Sequence, residues 1–379
     1  MAKILFAGGG TGGHLYSGIA VAREAQRLAP DTEIVFVGTE QGIEAKVLPR
    51  ENYRLVTLKV SGIKGRGLLK SALGAAKVPG ALLASLSLLR RENPGAVVGI
   101  GGYASGPTVF AAALAGYPTA IVEQNVIPGF TNRTLARFVR RVYAPMAEAV
   151  ARFPRASKVS VTGNPIRRGV VDEAIAKASE AKAPMLHLLV FGGSLGATRI
   201  NKAMVEALPQ LKTIPGGVSI THQTGEKDFA ETKAAYDKAL AGTPLAYDVR
   251  PFLHDMGAQY AKADVVLCRA GASTLSEVMA IGKPAILVPF PFAIYNHQEL
   301  NARALEARGA ARWILDGELT GDRLFREVSA LAADPAARAK MAAAAKALGR
   351  PEAATEIARE ILSMAGTPAP ALTPAKEVH

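Results

Sequence analysis

The sequence predicts an α/β protein built from two doubly wound, parallel-sheet domains. Three observations carry this: short unbroken apolar runs alternate with longer Ala/Leu-rich stretches, a glycine cluster twice joins an apolar run to a helical one, and the pattern restarts in mid-chain. Strands covered by helices on both faces read as continuous apolar runs rather than as alternation. In the first series Ile4–Ala7, Ile34–Val37, Ala96–Ile100 and Ala120–Val122 are the expected strands, with helices at Ala20–Leu28, Val109–Ala115 and Thr131–Phe138. In the second, Leu186–Phe191, Val218–His222, Asp264–Cys268 and Ala285–Val288 are strands; helices lie near Ala197–Leu208, Lys227–Leu240, Thr274–Ala280 and Gln298–Ala307. The turn Gly163-Asn164-Pro165 and a charged Ala/Lys/Glu stretch, within Thr162–Pro184, separate them. The expected domains are 1–164 and 165–346, then a helix near Glu352–Met364 within 347–365, and a Pro/Ala/Thr-rich mobile tail over 366–379. Ligands in such folds bind at the carboxyl ends of the strands.

Composition narrows the function classes. With 379 residues, 49% of them hydrophobic and 20% charged, the chain has ample material for packed cores. Lys and Arg number 45 against 32 Asp and Glu, a net +13 that favours an anionic partner without saying which. The one cysteine, Cys268, excludes a disulfide framework and a cysteine-rich metal site. The apolar run at the start is too short for a signal peptide. Gly95–Val122 carries no charge and is long enough for a membrane span, but its glycines and prolines divide it into strand, loop, helix, turn and strand. A soluble chain, with any membrane contact at its surface, is expected.

Several loops could carry chemistry. Gly8-x-Gly10-x-x-Gly13 matches a dinucleotide fingerprint, although Glu33 and Glu40 are poorly placed for a ribose-binding acid. His14 sits in the first helical turn, either as a solvent-facing residue or as a general base titrating near neutrality. Gly192-x-Ser194-x-Gly196 reads either as a nucleophile elbow, with Asp255, Asp264 and His297 as paper partners, or as a second phosphate-facing loop. Arg269–Glu277 follows a strand; Thr274-x-x-Glu277 is a capping box, or the helix start holds a diphosphate while Glu277 takes ribose hydroxyls. Glu123-Gln124-Asn125 and Gly101-Gly102-Tyr103-Ala104-Ser105-Gly106-Pro107 also follow strands. No His/Cys/carboxylate spacing points to zinc, and no Asp-x-Asp motif is present. Ser61–Arg91 interleaves Lys64, Arg66, Lys70, Lys77, Arg90 and Arg91 with leucines including Leu82, Leu83 and Leu86. It is either a segment lying on an anionic membrane surface or a helix burying its leucines.

Taken together, Gly9-Gly10-Thr11-Gly12-Gly13-His14, Gly101–Pro107, Glu123-Gln124-Asn125-Val126-Ile127-Pro128-Gly129, Thr162-Gly163-Asn164-Pro165-Ile166-Arg167, Gly192–Ala197, Arg269–Glu277 and His297-Gln298-Glu299-Leu300-Asn301 resemble the MurG family, the bacterial N-acetylglucosaminyltransferases of lipid II synthesis. The blocks run in family order up to about residue 363. The resemblance implies a GT-B glycosyltransferase: two Rossmann-like domains facing across a cleft, the first for acceptor and membrane, the second for donor, and a last helix returning to the first. It implies inverting transfer of GlcNAc from UDP-GlcNAc to the MurNAc 4-hydroxyl of undecaprenyl-diphosphoryl-MurNAc-pentapeptide, lipid I. No cofactor, no metal and no nucleic acid partner are implied. The setting implied is the cytoplasmic face of the cell membrane, as a peripheral protein of cell-wall biogenesis, cell shape and division.

By matching blocks, Thr11, Gly12, Gly13, Asn125, Arg167, Ser194, Leu253, Ala272, Ser273, Thr274, Leu275, Ser276, Glu277 and Gln298 would line the donor site. Glu277 would hold the ribose, Gln298 and Asn301 the sugar hydroxyls, and Arg167 with the Ser273/Thr274 helix start the diphosphate. His14 is the favoured base, with Glu123 and Tyr103 behind it. Three departures stand out: Ser17 where the family usually has proline, Val122 where many members have histidine, and the tail after Gly366. The alternatives are a GT-B transferase with another lipid acceptor, an NAD-dependent oxidoreductase using the first glycine loop, a serine hydrolase at Ser194, and a non-catalytic nucleotide-sugar binder.

Overall fold

The computed structural model describes residues 2–58, 68–178, 185–293 and 296–367, with the backbone alone over 68–78. The chain divides into two compact units, residues 1–166 with 352–379 and residues 167–351.

In the first unit the strands are β1 (Lys3–Gly8), β2 (Glu33–Gly38), β3 (Arg54–Thr57), β4 (Ala96–Gly101), β5 (Thr119–Val122), β6 (Arg141–Ala144) and β7 (Val159–Val161). They form a parallel sheet in the order β3-β2-β1-β4-β5-β6-β7. The helices are α1 (Gly12–Leu28), α2 (Glu44–Val47), α3 (Leu68–Glu92), α4 (Ser105–Leu114), α5 (Phe130–Leu135) and α6 (Ala147–Val150). Central strands are the most apolar because both their faces are covered: β4, AVVGIG, is buried throughout. On one face Phe6, Phe36, Leu15 and Ile19 pack together; on the other Leu5, Val97, Val109 and Val139 do so. The charge-free stretch Gly95–Val122 is β4, a loop, α4, a turn and β5. Among the described residues no helix is long and apolar enough to cross a membrane.

The second unit repeats the plan with β8 (Leu186–Phe191), β9 (Val218–Gln223), β10 (Tyr247–Arg250), β11 (Val265–Cys268), β12 (Ala285–Leu287) and β13 (Arg312–Trp313), parallel in the order β10-β9-β8-β11-β12-β13. Its helices are α7 (Arg168–Lys177), α8 (Thr198–Leu211), α9 (Phe229–Leu240), α10 (Met256–Lys262), α11 (Ala272–Ile281), α12 (His297–Glu306), α13 (Gly321–Ala333) and α14 (Pro335–Leu348). The last helix, α15 (Ala353–Met364), belongs to the first unit, where Ile357, Ala358, Ile361 and Leu362 join the core of Phe6 and Leu15. Thr355 donates to Glu24 of α1 at 2.8 Å.

The leucines of Ser61–Arg91 divide between the two readings. Leu82 and Leu86 pack against the core and Leu88 and Leu89 are buried, so the expectation that Leu82, Leu83 and Leu86 share a membrane-facing role fails for Leu82 and Leu86, while Leu83 is 68% exposed. The part of that segment before Leu68 lies outside the described residues.

Candidate active site

In the first unit the candidate residues lie at the carboxyl ends of β1 and β4. A Cβ on Gly8 would stand 2.0 Å from the Gly101 carbonyl, and one on Gly102 would stand 2.4 Å from that of Gly9. Only glycines let these two loops touch. Gly9 N donates to Gly101 O at 3.0 Å, and Gly10 N to the buried carboxylate of Glu44 at 2.8 Å. These two N–H groups are therefore turned inward, onto a carbonyl and a negative charge. That corrects the dinucleotide-fingerprint reading, which needs the glycine amides to face a pyrophosphate.

Beyond the loop, α1 opens at Gly12 with Thr11 as its extended N-cap, and no side chain caps it. The Thr11 hydroxyl lies 3.1 Å from His14 Nδ1 instead, and the Gly9 carbonyl is 3.4 Å from the same nitrogen. The Cα face of Gly101 abuts the imidazole, since a Cβ there would stand 3.0 Å from the ring. His14 is half-buried, Gly10, Thr11 and Gly13 are exposed, and Tyr103 is 46% exposed. Ser17, where the resemblance expects proline, lies within α1: its hydroxyl donates to Gly13 O at 2.9 Å and lies 3.1 Å from Asn164 Oδ1.

Glu123 is placed differently from a base. It is 2% exposed, and its Oε1 accepts from Gln124 N, Asn125 N and Asn125 Nδ2 at 3.0, 2.9 and 3.3 Å. Its Oε2 accepts from Gly129 N and Asn132 Nδ2 at 3.1 and 3.0 Å. A carboxylate engaged five times organises the loop that presents Asn125, and has no lone pair turned to a substrate.

In the second unit the candidate residues lie at the carboxyl ends of β8, β9 and β11. Gly196 lets the Gly192–Gly196 turn sit on Thr224, whose carbonyl would be 1.8 Å from a Cβ there. Gln223, at the end of β9, locks this turn: its Nε2 donates to Gly193 O at 2.8 Å and its Oε1 accepts from Leu253 N at 3.0 Å. Ser194 is exposed at the tip of the turn. The acids proposed for a hydrolase are committed elsewhere. Asp264 accepts from His187 N at 2.9 Å, and Asp255 from Gln259 at 2.7 Å.

At α11 the capping-box reading is corrected. The N-cap is Gly271, in extended conformation, and no side chain caps the helix. Glu277, 5% exposed, accepts from Arg167 Nη2 at 3.1 Å and from Tyr260 OH at 3.2 Å. The Ser273 hydroxyl is buried with no hydrogen-bond partner among the described residues. An uncapped ten-residue helix, an unpartnered hydroxyl in its first turn and an arginine together form an anion-binding arrangement. Leu275 and Leu253 are core residues, and Ser276 returns its hydroxyl to Ala272 O at 2.9 Å, so these three have only backbone to offer a ligand. Ala272 and Thr274 stand at the helix start. On α12, Gln298 accepts from Phe290 N at 2.9 Å, and the buried Asn301 amide donates to Ala270 O at 3.4 Å. Among the described residues no group of three His, Cys, Asp or Glu side chains could hold a metal ion.

Glu44, Gln223 and Tyr260 are absent from the sequence reading. Gln223 and Tyr260 carried no motif signal; for Glu44 the only signal is its flanking glycines, Gly38 and Gly42.

Two parallel-sheet units with glycine loops at their strand ends, one carrying an arginine-flanked helix N-terminus, define a GT-B glycosyltransferase. Residues 4–144 match the glycosyltransferase family 28 N-terminal domain and residues 187–357 its C-terminal domain. A UDP-N-acetylglucosamine--N-acetylmuramyl-(pentapeptide) pyrophosphoryl-undecaprenol N-acetylglucosamine transferase of Anaeromyxobacter sp. (strain Fw109-5) is 48% identical over 356 residues, 94% of this chain and 92% of the relative. The protein of that name from Myxococcus xanthus is 47% identical over 359 residues, with the same shares. The crystal structure of Acinetobacter baumannii MurG superposes with a TM-score of 0.78 at 30% identity, covering 96% of this chain and 100% of that one. The chain belongs to glycosyltransferase family 28 and, within it, to the MurG family of N-acetylglucosaminyltransferases.

Proposed function

We propose that the chain moves N-acetylglucosamine from UDP-GlcNAc to the MurNAc 4-hydroxyl of lipid I, forming lipid II by single displacement with inversion. The acceptor oxygen attacks the anomeric carbon, the bond from that carbon to the diphosphate oxygen breaks, and UDP departs. Charge grows on the diphosphate as it leaves. Preorganised donors, the Arg167 guanidinium and the first turn of α11 with the Ser273 hydroxyl, stabilise it. Glu277 holds the ribose hydroxyls with Tyr260 orienting it, while Gln298 and Asn301 take the sugar. In the first unit His14 accepts the acceptor proton. Thr11 and Gly9 hold its Nδ1 edge, which orients the ring for that role. The carrying observation is the uncapped start of α11 with its unpartnered serine beside the Arg167–Glu277 pair.

Contact with the anionic cytoplasmic leaflet belongs to the same proposal. Phe110 and Leu114 share one face of α4, and Phe138 packs edge-on to Phe110 with centroids 4.9 Å apart. Leu114 and Phe138 are 66% and 45% exposed, Leu83 stands on the neighbouring α3, and Arg133, Arg137 and Arg140 are exposed alongside. Apolar tips among cations suit a headgroup interface.

The test is incubation with UDP-GlcNAc and a short-chain lipid I analogue in EDTA. A product heavier by one N-acetylhexosamine, β-linked to O4, is expected. Binding of UDP-GlcNAc with no transfer, or hydrolysis to free sugar, would contradict the reading.

A further inference from the structure

Glu44 opens the short helix α2, far in sequence from the glycine loop that its carboxylate supports. It is 1% exposed, and its two oxygens divide their work. Oε2 accepts from Gly10 N at 2.8 Å; Oε1 accepts from Thr39 N at 2.8 Å and Thr39 Oγ1 at 2.9 Å. Three glycines wall the group in. A Cβ on Gly9, Gly38 or Gly42 would stand 2.5, 2.5 or 2.1 Å from the Glu44 side chain. Burial pushes the carboxyl up, but the N–H groups of Gly10 and Thr39 outweigh it and hold the carboxyl below its ordinary range. The group is thus an ionised acceptor in a cradle that admits nothing larger. The turn it anchors, Gly9-Gly10-Thr11, supplies two contacts to His14 Nδ1, the Gly9 carbonyl and the Thr11 hydroxyl.

We infer that Glu44 is a positioning residue for transfer: its carboxylate fixes the Gly9-Gly10-Thr11 turn and, through that turn, the orientation of the His14 imidazole. The inference rests on the assignment of His14 as base made above. Uncharged glutamine has the shape of Glu44 but turns an NH2 toward either the Gly10 or the Thr39 N–H. Two donors then face each other and the turn shifts. Gly42→Ala reaches the same end from the other side, because its methyl displaces the carboxylate while leaving Glu44 in place.

The test measures kcat and UDP-GlcNAc affinity for Glu44→Gln and Gly42→Ala in full-length protein, each also in a His14→Ala background. Loss of orientation is expected to lower kcat by about 10- to 100-fold in either variant. Donor affinity, for which the other unit supplies Arg167, Glu277 and the start of α11, falls far less than kcat, and the kcat loss largely vanishes once His14 is gone, as coupled residues require. Wild-type kcat in both variants would overturn the inference. So would an equal loss with and without His14, which marks a merely structural role. His14→Ala with undiminished kcat would instead overturn the base assignment, and the relay through His14 with it.

Discussion

Glu277 shows how one side chain reconciles folding with binding. Its carboxylate sits in the interior, yet Arg167 and Tyr260 leave it charge-compensated and hydrogen-bonded, which a buried carboxylate requires. Arg167 pairs with Glu277 while its side chain remains 41% exposed. Glu277→Ala is expected to weaken UDP-GlcNAc binding by about 1–3 kcal/mol, the range for hydrogen bonds to a charged group, as read by titration calorimetry. Unchanged affinity would reduce Glu277 to a clamp for Arg167. Glu123 is the contrasting case. Five donors make it the keystone of its loop, a role no motif announces, because a strand-end carboxylate looks the same in sequence whether it faces substrate or backbone.

At the scale of elements, the two units answer acid differently. In the second, His222 of β9 is wholly buried between the Tyr236 hydroxyl and Asn201 Oδ1, each 3.0 Å away, and burial pulls its pKa down to about 3. An unfolded histidine takes a proton near pH 6.5, so this group's contribution to stability declines as pH falls below about 6.5. In the first, Glu44 and Glu92 are held below the ordinary carboxylate range. Burial raises Glu92, but Arg54, Lys3 and Arg91 outweigh it. Their contribution is intact above about pH 4.3 and is lost as pH falls through the folded-state values. Hydrogen exchange followed from pH 7 downward is expected to show protection falling in β8 and β9 before β1 and β4. Simultaneous loss would contradict this.

The central strands of both sheets and the helices beside them were legible because they are apolar without interruption. The inner strand β6, only four residues long and opening on an exposed arginine, was not, nor were β3, β7, β10 and β13: Arg54–Thr57 and Arg312–Trp313 are short and half-exposed, and their pairing comes from the sheet, not from their own pattern. The glycine loops were legible as places but not as partners. The spacing around Gly8–Gly13 could not say that Gly10 N faces a carboxylate rather than a phosphate, since Glu44 reaches it only through the fold.

For the whole molecule, net charge +13 and exposed Leu83, Leu114 and Phe138 favour an anionic bilayer surface. Replacing these three by serine is expected to reduce sedimentation with anionic vesicles, with the melting temperature lowered only by loss of the Phe138–Phe110 ring contact. Leu86→Ser, which removes a side chain packed against the core, is expected to lower that temperature. Undiminished vesicle binding by the triple variant would move the contact elsewhere. The proposed function divides the labour, with proton removal on the glycine loop of one unit and most donor contacts on the other. It is tested most directly by His14→Ala, with transfer to a lipid I analogue and UDP-GlcNAc affinity measured on the same protein. A kcat lower by about 10²–10⁴-fold at unchanged donor affinity is expected. Full transfer by His14→Ala would contradict it.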